Sequence, residues 1–126
     1  MNWSSNRTHK YNAVKVENNG KKFASKLESS LYDILLLREQ AGEITDIELQ
    51  PKVYLTDARI LLIADFKVFD KITGGHIWYE AKGMKTPVWA IKRRLWFYYG
   101  PGILRVYKGS YKSPKMVEQI IPKTRS

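Results

Sequence analysis

Ile60-Leu61-Leu62-Ile63-Ala64-Asp65-Phe66-Lys67-Val68-Phe69, followed after a turn by Ile77-Trp78-Tyr79-Glu80-Ala81-Lys82, is the stretch that decides how this chain folds. Arg59–Phe69 reads as one strand, and its leading residues are apolar on both faces, as in the centre of a sheet. Asp70 to Gly75, with its Gly and Thr, reads as a turn, and Ile77–Lys82 as the next strand. Asp65 interrupts the apolar run, where a carboxylate is costly to bury without a partner. Glu80 and Lys82 are two apart in a strand, so both project from one face. If the two strands pair through the turn, Asp65 shares that face. Two carboxylates converging there make a hard-oxygen site suited to Mg2+, which takes one or two protein carboxylates and keeps waters. The Ala81 carbonyl is a further candidate ligand. Lys82 is placed to orient or help deprotonate an attacking water, with the ion countering charge on a phosphate. The plain alternative is that Glu80 and Lys82 neutralise each other on an exposed strand.

Working outward, Ser25 to about Ala41 reads as a helix capped by Ser25 and closed by Gly42. Leu27, Leu31, Ile34, Leu35 and Arg38 trace its stripe, broadened by Leu36 and Leu37, with Glu28 beside it. Ser25 and Glu28 have capping-box spacing, which explains Glu28 without any chemistry. A carboxylate there still faces a metal if the helix packs across the strand ends. Before the helix, Asn18-Asn19-Gly20 between Ala13–Glu17 and Lys21–Phe23 signals a small hairpin. After it the period changes to two. Ile47, Leu49, Val53 and Leu55 are expected on one face, and Glu48, Gln50, Lys52 and Tyr54 on the other, with Pro51 favouring an edge. Gln50 in Gln50-Pro51-Lys52 is either a polar group near the site or an ordinary exposed amide.

Beyond Lys82, Thr86 is expected to cap a second helix with Pro87 in its first turn, running to about Tyr99 before Gly100-Pro101-Gly102. The apolar set Val88, Ile91, Leu95 and Tyr98 reads as its core stripe, while Trp89, Trp96, Phe97 and Tyr99 are core, a dimer face or a surface that stacks on exposed bases. Lys82-Gly83-Met84-Lys85-Thr86 would lead into that helix N-terminus, a phosphate-binding environment. Ile103–Tyr107 is a last strand. Residues 1–12 read as a basic arm and 108–126 as a basic tail with a helical turn near Met116–Ile121. The order is hairpin, helix, three strands, helix, strand, so the expectation is an α/β fold: one mixed sheet flanked by helices in a single domain spanning 1–126.

The sequence has 126 residues, 44% of them hydrophobic, enough to bury one core. Its 22 Lys and Arg against 12 Asp and Glu give a formal charge of +10, the footprint of a protein that meets a polyanion. There is no cysteine, which excludes disulfides, thiolate zinc sites and a cysteine nucleophile. His9 and His76 are too isolated to suggest a histidine metal site. No apolar run reaches the roughly 18 residues of a spanning helix, and Met1-Asn2-Trp3-Ser4-Ser5-Asn6-Arg7 lacks the apolar core of a signal peptide. A cytoplasmic protein with no membrane partner is expected.

Phe23-x-Ser25-Lys26-Leu27-Glu28, Gly42-Glu43-Ile44, Gln50-Pro51-Lys52, Ala64-Asp65-Phe66, Glu80-Ala81-Lys82-Gly83 and Thr86 stand in an order and spacing that resemble a phage and prophage family of PD-(D/E)XK nucleases. The likeness covers roughly residues 11–107 and extends, more distantly, to archaeal Holliday-junction resolvases and TnsA-type transposon endonucleases. It implies a restriction-endonuclease-like fold and a Mg2+-dependent endodeoxyribonuclease, with Mn2+ substituting, in the host cytoplasm if the protein is phage-encoded. It implies metal ligands at Asp65 and Glu80, a catalytic lysine at Lys82, Glu28 supporting the metal directly or through water, and Gln50 as an auxiliary residue. Ala64 departs from the proline of the family name, but proline there shapes the strand and ligates nothing. The run Tyr54–Ile60 is short for an elaborate specificity loop.

For DNA contacts the sequence offers Lys10, Lys15, Lys22 and Lys26 near Glu28, and Lys85, Thr86, Lys92 and Arg93 around the second helix. Phosphate contacts of this kind position a protein without reading sequence. No reading module is present, so branched DNA of the Holliday-junction type, cut by a homodimer, is the expected substrate. The alternatives are a nicking enzyme for ordinary duplex and a catalytically silent DNA-binding protein.

Overall fold

The computed structural model describes residues 15–82 and 87–123. Its chain order is β1 (Val16–Asn18), β2 (Lys21–Phe23), α1 (Lys26–Gln40), β3 (Ile44–Leu49), β4 (Lys52–Leu55), β5 (Ile60–Ile63), β6 (Phe66–Asp70), β7 (Gly75–Ala81), α2 (Pro87–Tyr99), β8 (Ile103–Lys108) and β9 (Lys115–Ile120). The basic arm, Lys10, His9, Lys85 and the proposed Thr86 cap lie outside the described residues.

The expected mixed sheet flanked by helices is present. It has five strands in the order β3-β6-β7-β8-β9. All neighbours are antiparallel except β7 and β8, which run parallel and are joined by the α2 crossover. Alternation along β7 divides the interior in two. Ile77 and Tyr79 face α1 with Leu31, Leu35, Phe66 and Val68. Trp78 faces α2 with Trp89, Trp96, Leu104 and Val106.

Local chemistry explains most boundaries. Asn19 and Gly20 both take positive φ, 51° and 78°, as the tight β1–β2 turn requires. The Asn18 amide then ties that hairpin to α1, donating to Asp33 Oδ1 at 2.7 Å and Ser29 Oγ at 3.1 Å. Ser25 Oγ caps α1 by accepting the Glu28 N–H at 3.1 Å, and Gly42 ends the helix at φ 79°. The buried face of α1 is Glu28, Leu31, Tyr32 and Leu35. Glu28 therefore lies on the stripe, not beside it, and Leu37 is exposed. Replacing Ser25 with Ala is expected to cost about 1 kcal/mol, read as a lower midpoint in a urea melt; an unchanged midpoint would show that the cap carries no weight.

Four further expectations require correction. Arg59–Phe69 is two strands, because the chain leaves one sheet for another at Ala64-Asp65. The Ala64 N–H donates to Pro51 O, whereas the Asp65 N–H donates to Tyr79 O. β5 consequently pairs only with β4, in a separate two-stranded ribbon, and Ile60 and Ile63 are exposed. The 44–55 segment is likewise split, at Gln50 (φ 55°) and Pro51. Ile47 and Leu49 pack toward α1, whereas Val53 and Leu55 pack toward α2. On α2, Val88 and Ile91 are 61% and 60% exposed, and Tyr98 is also exposed. The helix instead buries Trp89 and Trp96, the larger apolar surfaces, and Trp96 Nε1 donates to Gly102 O at 2.8 Å. Finally, Met116–Ile121 forms no helical turn. Lys115–Ile120 is an edge strand that pairs with β8 and places Ile120 in the core.

At the end of the sheet where β6 finishes and β7 begins, α1 meets the strands through a polar network. Arg38 binds Glu43 Oε1 at 2.9 Å, Asp70 Oδ2 at 2.9 Å and the Tyr79 hydroxyl at 2.6 Å. Arg105 reaches the same hydroxyl at 3.0 Å. Sequence reading placed Arg38 on the helix stripe but gave no sign of this network.

Candidate active site

At the opposite end, where β7 finishes, the four residues singled out from the sequence come together. Glu28 arrives from the first turn of α1, held there by the Ser25 cap. Asp65 occupies the bend between β5 and β6. Its backbone N–H and C=O are fixed by Tyr79 O and the Gln50 N–H, at 3.0 and 2.9 Å. Its Oδ2 accepts the Ala81 N–H at 2.7 Å. Glu80 precedes that alanine on β7, and Lys82 Nζ lies 3.5 Å from Glu80 Oε2.

Three carboxylates in one partly dry place disturb one another. Burial pushes the Glu28 carboxyl up to about 7, aided by the charge of Asp65 and a hydrogen bond between the two, and opposed by the Ala24 N–H. Burial also raises Asp65, outweighing the Ala81 N–H, Lys82 and the Glu28 hydrogen bond. Glu80 is raised by burial and then by Asp65, with Lys82 pulling the other way. These groups titrate as a set. Around neutral pH, with no cation present, the acid form is favoured most at Glu80 and next at Glu28, whose hydrogen bond to Asp65 raises it further. Only the Ser25 half of the expected capping box forms: Ser25 Oγ accepts the Glu28 N–H, while the Glu28 carboxylate turns to Asp65 instead of returning to the Ser25 N–H.

The residues fit a small hard cation. Glu80 Oε1 is buried with no hydrogen-bond partner among the described residues, an arrangement that costs free energy unless a donor or an ion meets it. Among the described residues no group of three or more His, Cys, Asp or Glu is placed to hold a metal by itself. Mg2+ does not need such a cage, since one or two carboxylates and several waters suffice. Asp65 and Glu80 are the pair that would hold it, with the adjoining Ala81 peptide and with Glu28 acting directly or through water. Gln50 enters only through its backbone, next to Asp65. Its side chain is exposed and makes no hydrogen bond to the carboxylates among the described residues.

A linked pH prediction follows from the direction of these shifts. A carboxylate whose acid form is favoured in the folded state adds stability below its unfolded pKa, and that stability is lost as pH rises through the folded value. For Glu28 this window runs from 4.5 to about 7. The metal-free protein should therefore carry its greatest local strain above neutrality, where Mg2+ has fewer protons to displace. The rise in Tm on adding Mg2+ is expected to be larger at pH 8 than at pH 5.5. Equal shifts at the two pH values, measured by circular dichroism, would remove the carboxylates from the cation site.

Two further groups shape the site. Trp89, near the start of α2, lies under Lys82, with the ammonium 4.8 Å from its ring centroid. No pattern in the sequence signals this contact, which only tertiary packing creates. Lys26 Nζ lies 5.0 Å from the Tyr111 ring, so the β8–β9 turn comes to the same end of the sheet as the α1 N-terminus. Of the candidate DNA contacts, Lys15, Lys22 and Lys26 are exposed on the β1–β2 and α1 side, and Lys92 is half-buried on α2. Arg93 is bound to Glu118 on β9. His76 packs edge-on to Phe69 at the far end of β7, away from the carboxylates.

Fold and site together define a mixed α/β protein whose central strand ends in a buried carboxylate cluster beside a lysine. The chain belongs to the family described as a protein of unknown function, DUF1064, whose model matches residues 8–117. Comparison with curated proteins finds no match. No helix among the described residues is long and apolar enough to cross a membrane.

Proposed function

We propose that the protein is a Mg2+-dependent endodeoxyribonuclease of the PD-(D/E)XK type, with a restriction-endonuclease-like fold, acting in the cytoplasm on branched DNA as a homodimer. The observation that carries this reading is the convergence of Glu28, Asp65 and Glu80 with Lys82 at the end of β7, where burial keeps the acids short of their full charge. A structural ion pair needs only Glu80 and Lys82. It gives no reason to crowd two more carboxylates against them.

In this reading Asp65 and Glu80 bind the cation, and Glu28 adjusts the charge of the set. The bound ion would supply Lewis-acid stabilisation of the charge that develops on the phosphate. Lys82, steadied between Glu80 and the face of Trp89, donates to the attacking water or to a phosphate oxygen. The Ala81 N–H fixes the Asp65 carboxylate so that it needs no reorganisation as the reaction proceeds. Hydrolysis forms one new phosphorus–oxygen bond to water as the bond to the leaving sugar oxygen breaks, and the leaving oxygen takes up a proton. The dimer is proposed because paired cuts in a junction need two sites and each chain offers one.

The test is to incubate the protein with a four-way junction, a flap and a linear duplex, each with Mg2+ or Mn2+. Cleavage of the junction in preference to the duplex is expected. Equal cutting of all three would point to a general nicking enzyme, and no cutting of any substrate with either metal would overturn the nuclease reading.

A further inference from the structure

The β9 strand closes a groove against α2 on the sheet face that carries Lys82. The groove encloses about 710 Å³ and is lined by Trp89, Arg93, Arg94, Val106, Lys108 and Glu118, among others. A second hollow of about 340 Å³ continues it along the same helix, past Arg94, Tyr98, Gln119 and Ile121. The two share Arg93, Arg94 and Glu118, so they form one seam.

The cations along this seam are ordered. The Lys82 ammonium lies over Trp89 at one end, 4.8 Å from its ring centroid, and the Lys123 ammonium lies 5.6 Å from that of Tyr98 at the other. Arg93 and Arg94 fall between them, and Lys108 faces them from β8. Glu118 holds Arg93 in place. Arg94, Lys108 and Lys123 have no acidic partner among the described residues. From residue 89 to residue 98 a helix rises roughly 14 Å, the axial span of about four phosphates on one strand of a duplex. Trp89 is buried and offers no free ring for a base to stack on. Trp89, Val106 and Val117 supply apolar lining to the larger hollow, and the cations run along the seam with Glu118 engaged by Arg93.

On top of the nuclease reading, on which this rests, the geometry points to the α2–β9 seam as the track of a phosphodiester backbone leading into the carboxylate site at Lys82. The track holds phosphates and reads no bases, so it serves all sequences alike. It also places β9 and Lys123, part of the basic tail expected at 108–126, along that track.

The experiment measures binding without cleavage. Fluorescence anisotropy of labelled duplex and four-way junction, in EDTA over a salt series, compares the wild type with an Arg94→Gln/Lys123→Gln double variant. Lys71→Gln, in the β6–β7 turn at the other end of the sheet, is the control. Circular dichroism verifies that each variant is folded. The slope of log affinity against log salt is expected to fall by about 2 in the double variant, on every sequence alike, and to stay unchanged in the control. A wild-type slope and affinity in the double variant, in a protein that does cut DNA, would overturn the track and leave the nuclease reading standing. Binding that depends on Arg94 and Lys123 in a protein that never cuts would uphold the track and remove the nuclease. A wild type that neither binds nor cuts overturns both.

Discussion

Asp65→Asn is expected to lower metal-dependent cleavage by roughly 10²–10³-fold or more while leaving the fold and DNA binding intact. Asparagine has nearly the same shape, and its amide oxygen can keep the Ala81 N–H that Asp65 Oδ2 accepts at 2.7 Å. The negative charge is lost, and the second carboxylate oxygen becomes an NH2 that can donate to an ionised Glu28. That loss also relieves the repulsion that helps raise Glu28 and Glu80. The metal-free variant should therefore melt at the same temperature as the wild type or higher above neutral pH, with a smaller gain on adding Mg2+. A site that becomes more stable as it becomes inactive is one arranged for charge and not for packing. The paired measurement is a cleavage assay beside a thermal melt. Retained cutting would take Asp65 out of the site, and a collapse in Tm would show that its carboxylate is structural.

The second large effect is expected at Arg38, far from the carboxylates. Arg38→Leu keeps much of the aliphatic bulk but leaves Asp70, which is 1% exposed, without its 2.9 Å partner. Removing one member of a buried pair typically costs about 3–5 kcal/mol. The lower end applies here, because the Ile72 and Thr73 N–H groups still reach Asp70 Oδ1, at 2.9 and 3.1 Å, and Arg105 Nη1 stays 3.9 Å from Asp70 Oδ2. Burial alone would raise the acid form of Asp70. The Thr73 N–H, Arg38 and the Ile72 N–H together outweigh it and hold the carboxyl below its usual 3.8. A carboxylate depressed in this way contributes stability above its unfolded pKa and loses it as pH falls through the folded value. The cost of Arg38→Leu, read from urea melts, should thus be full at neutral pH and shrink under acid below about pH 3.8. Adding Asp70→Asn to the variant should recover part of the loss. No recovery would mean that Arg38 acts through Tyr79 and Glu43 instead.

How much of this was legible in the sequence depended on the range of the interaction that fixes each feature. The Asn19-Gly20 turn, the Ser25 cap and the Gly42 stop are set by neighbouring residues and could be read directly. So could the shared face of Glu80 and Lys82, since alternation along one strand needs no partner. The splits at Gln50-Pro51 and Ala64-Asp65 were not legible. They depend on which distant backbone each N–H finds, and an apolar run such as Ile60–Ile63 looks the same in a sheet centre as in a ribbon. The buried face of α2 is ambiguous in the sequence for a related reason. Val88, Ile91, Leu95 and Tyr98 have the right spacing, but so do Trp89 and Trp96, and the larger rings took the core. Lys82 over Trp89 and Arg38 against Asp70 join parts of the chain that only tertiary packing brings together.

The alternation of β7 has an evolutionary consequence. This strand supplies Ile77 and Tyr79 to one interior, Trp78 to the other, and Glu80 to the site. Its two faces are both committed, so a single inserted or deleted codon within it would turn every residue on one side of the change to the wrong face. Length changes between related chains should be confined to the turn at 71–74, where Gly74 already takes a φ of 78°. Drift in the interior must then proceed by replacing side chains in place, with the spacing from that turn to Glu80 and Lys82 held constant.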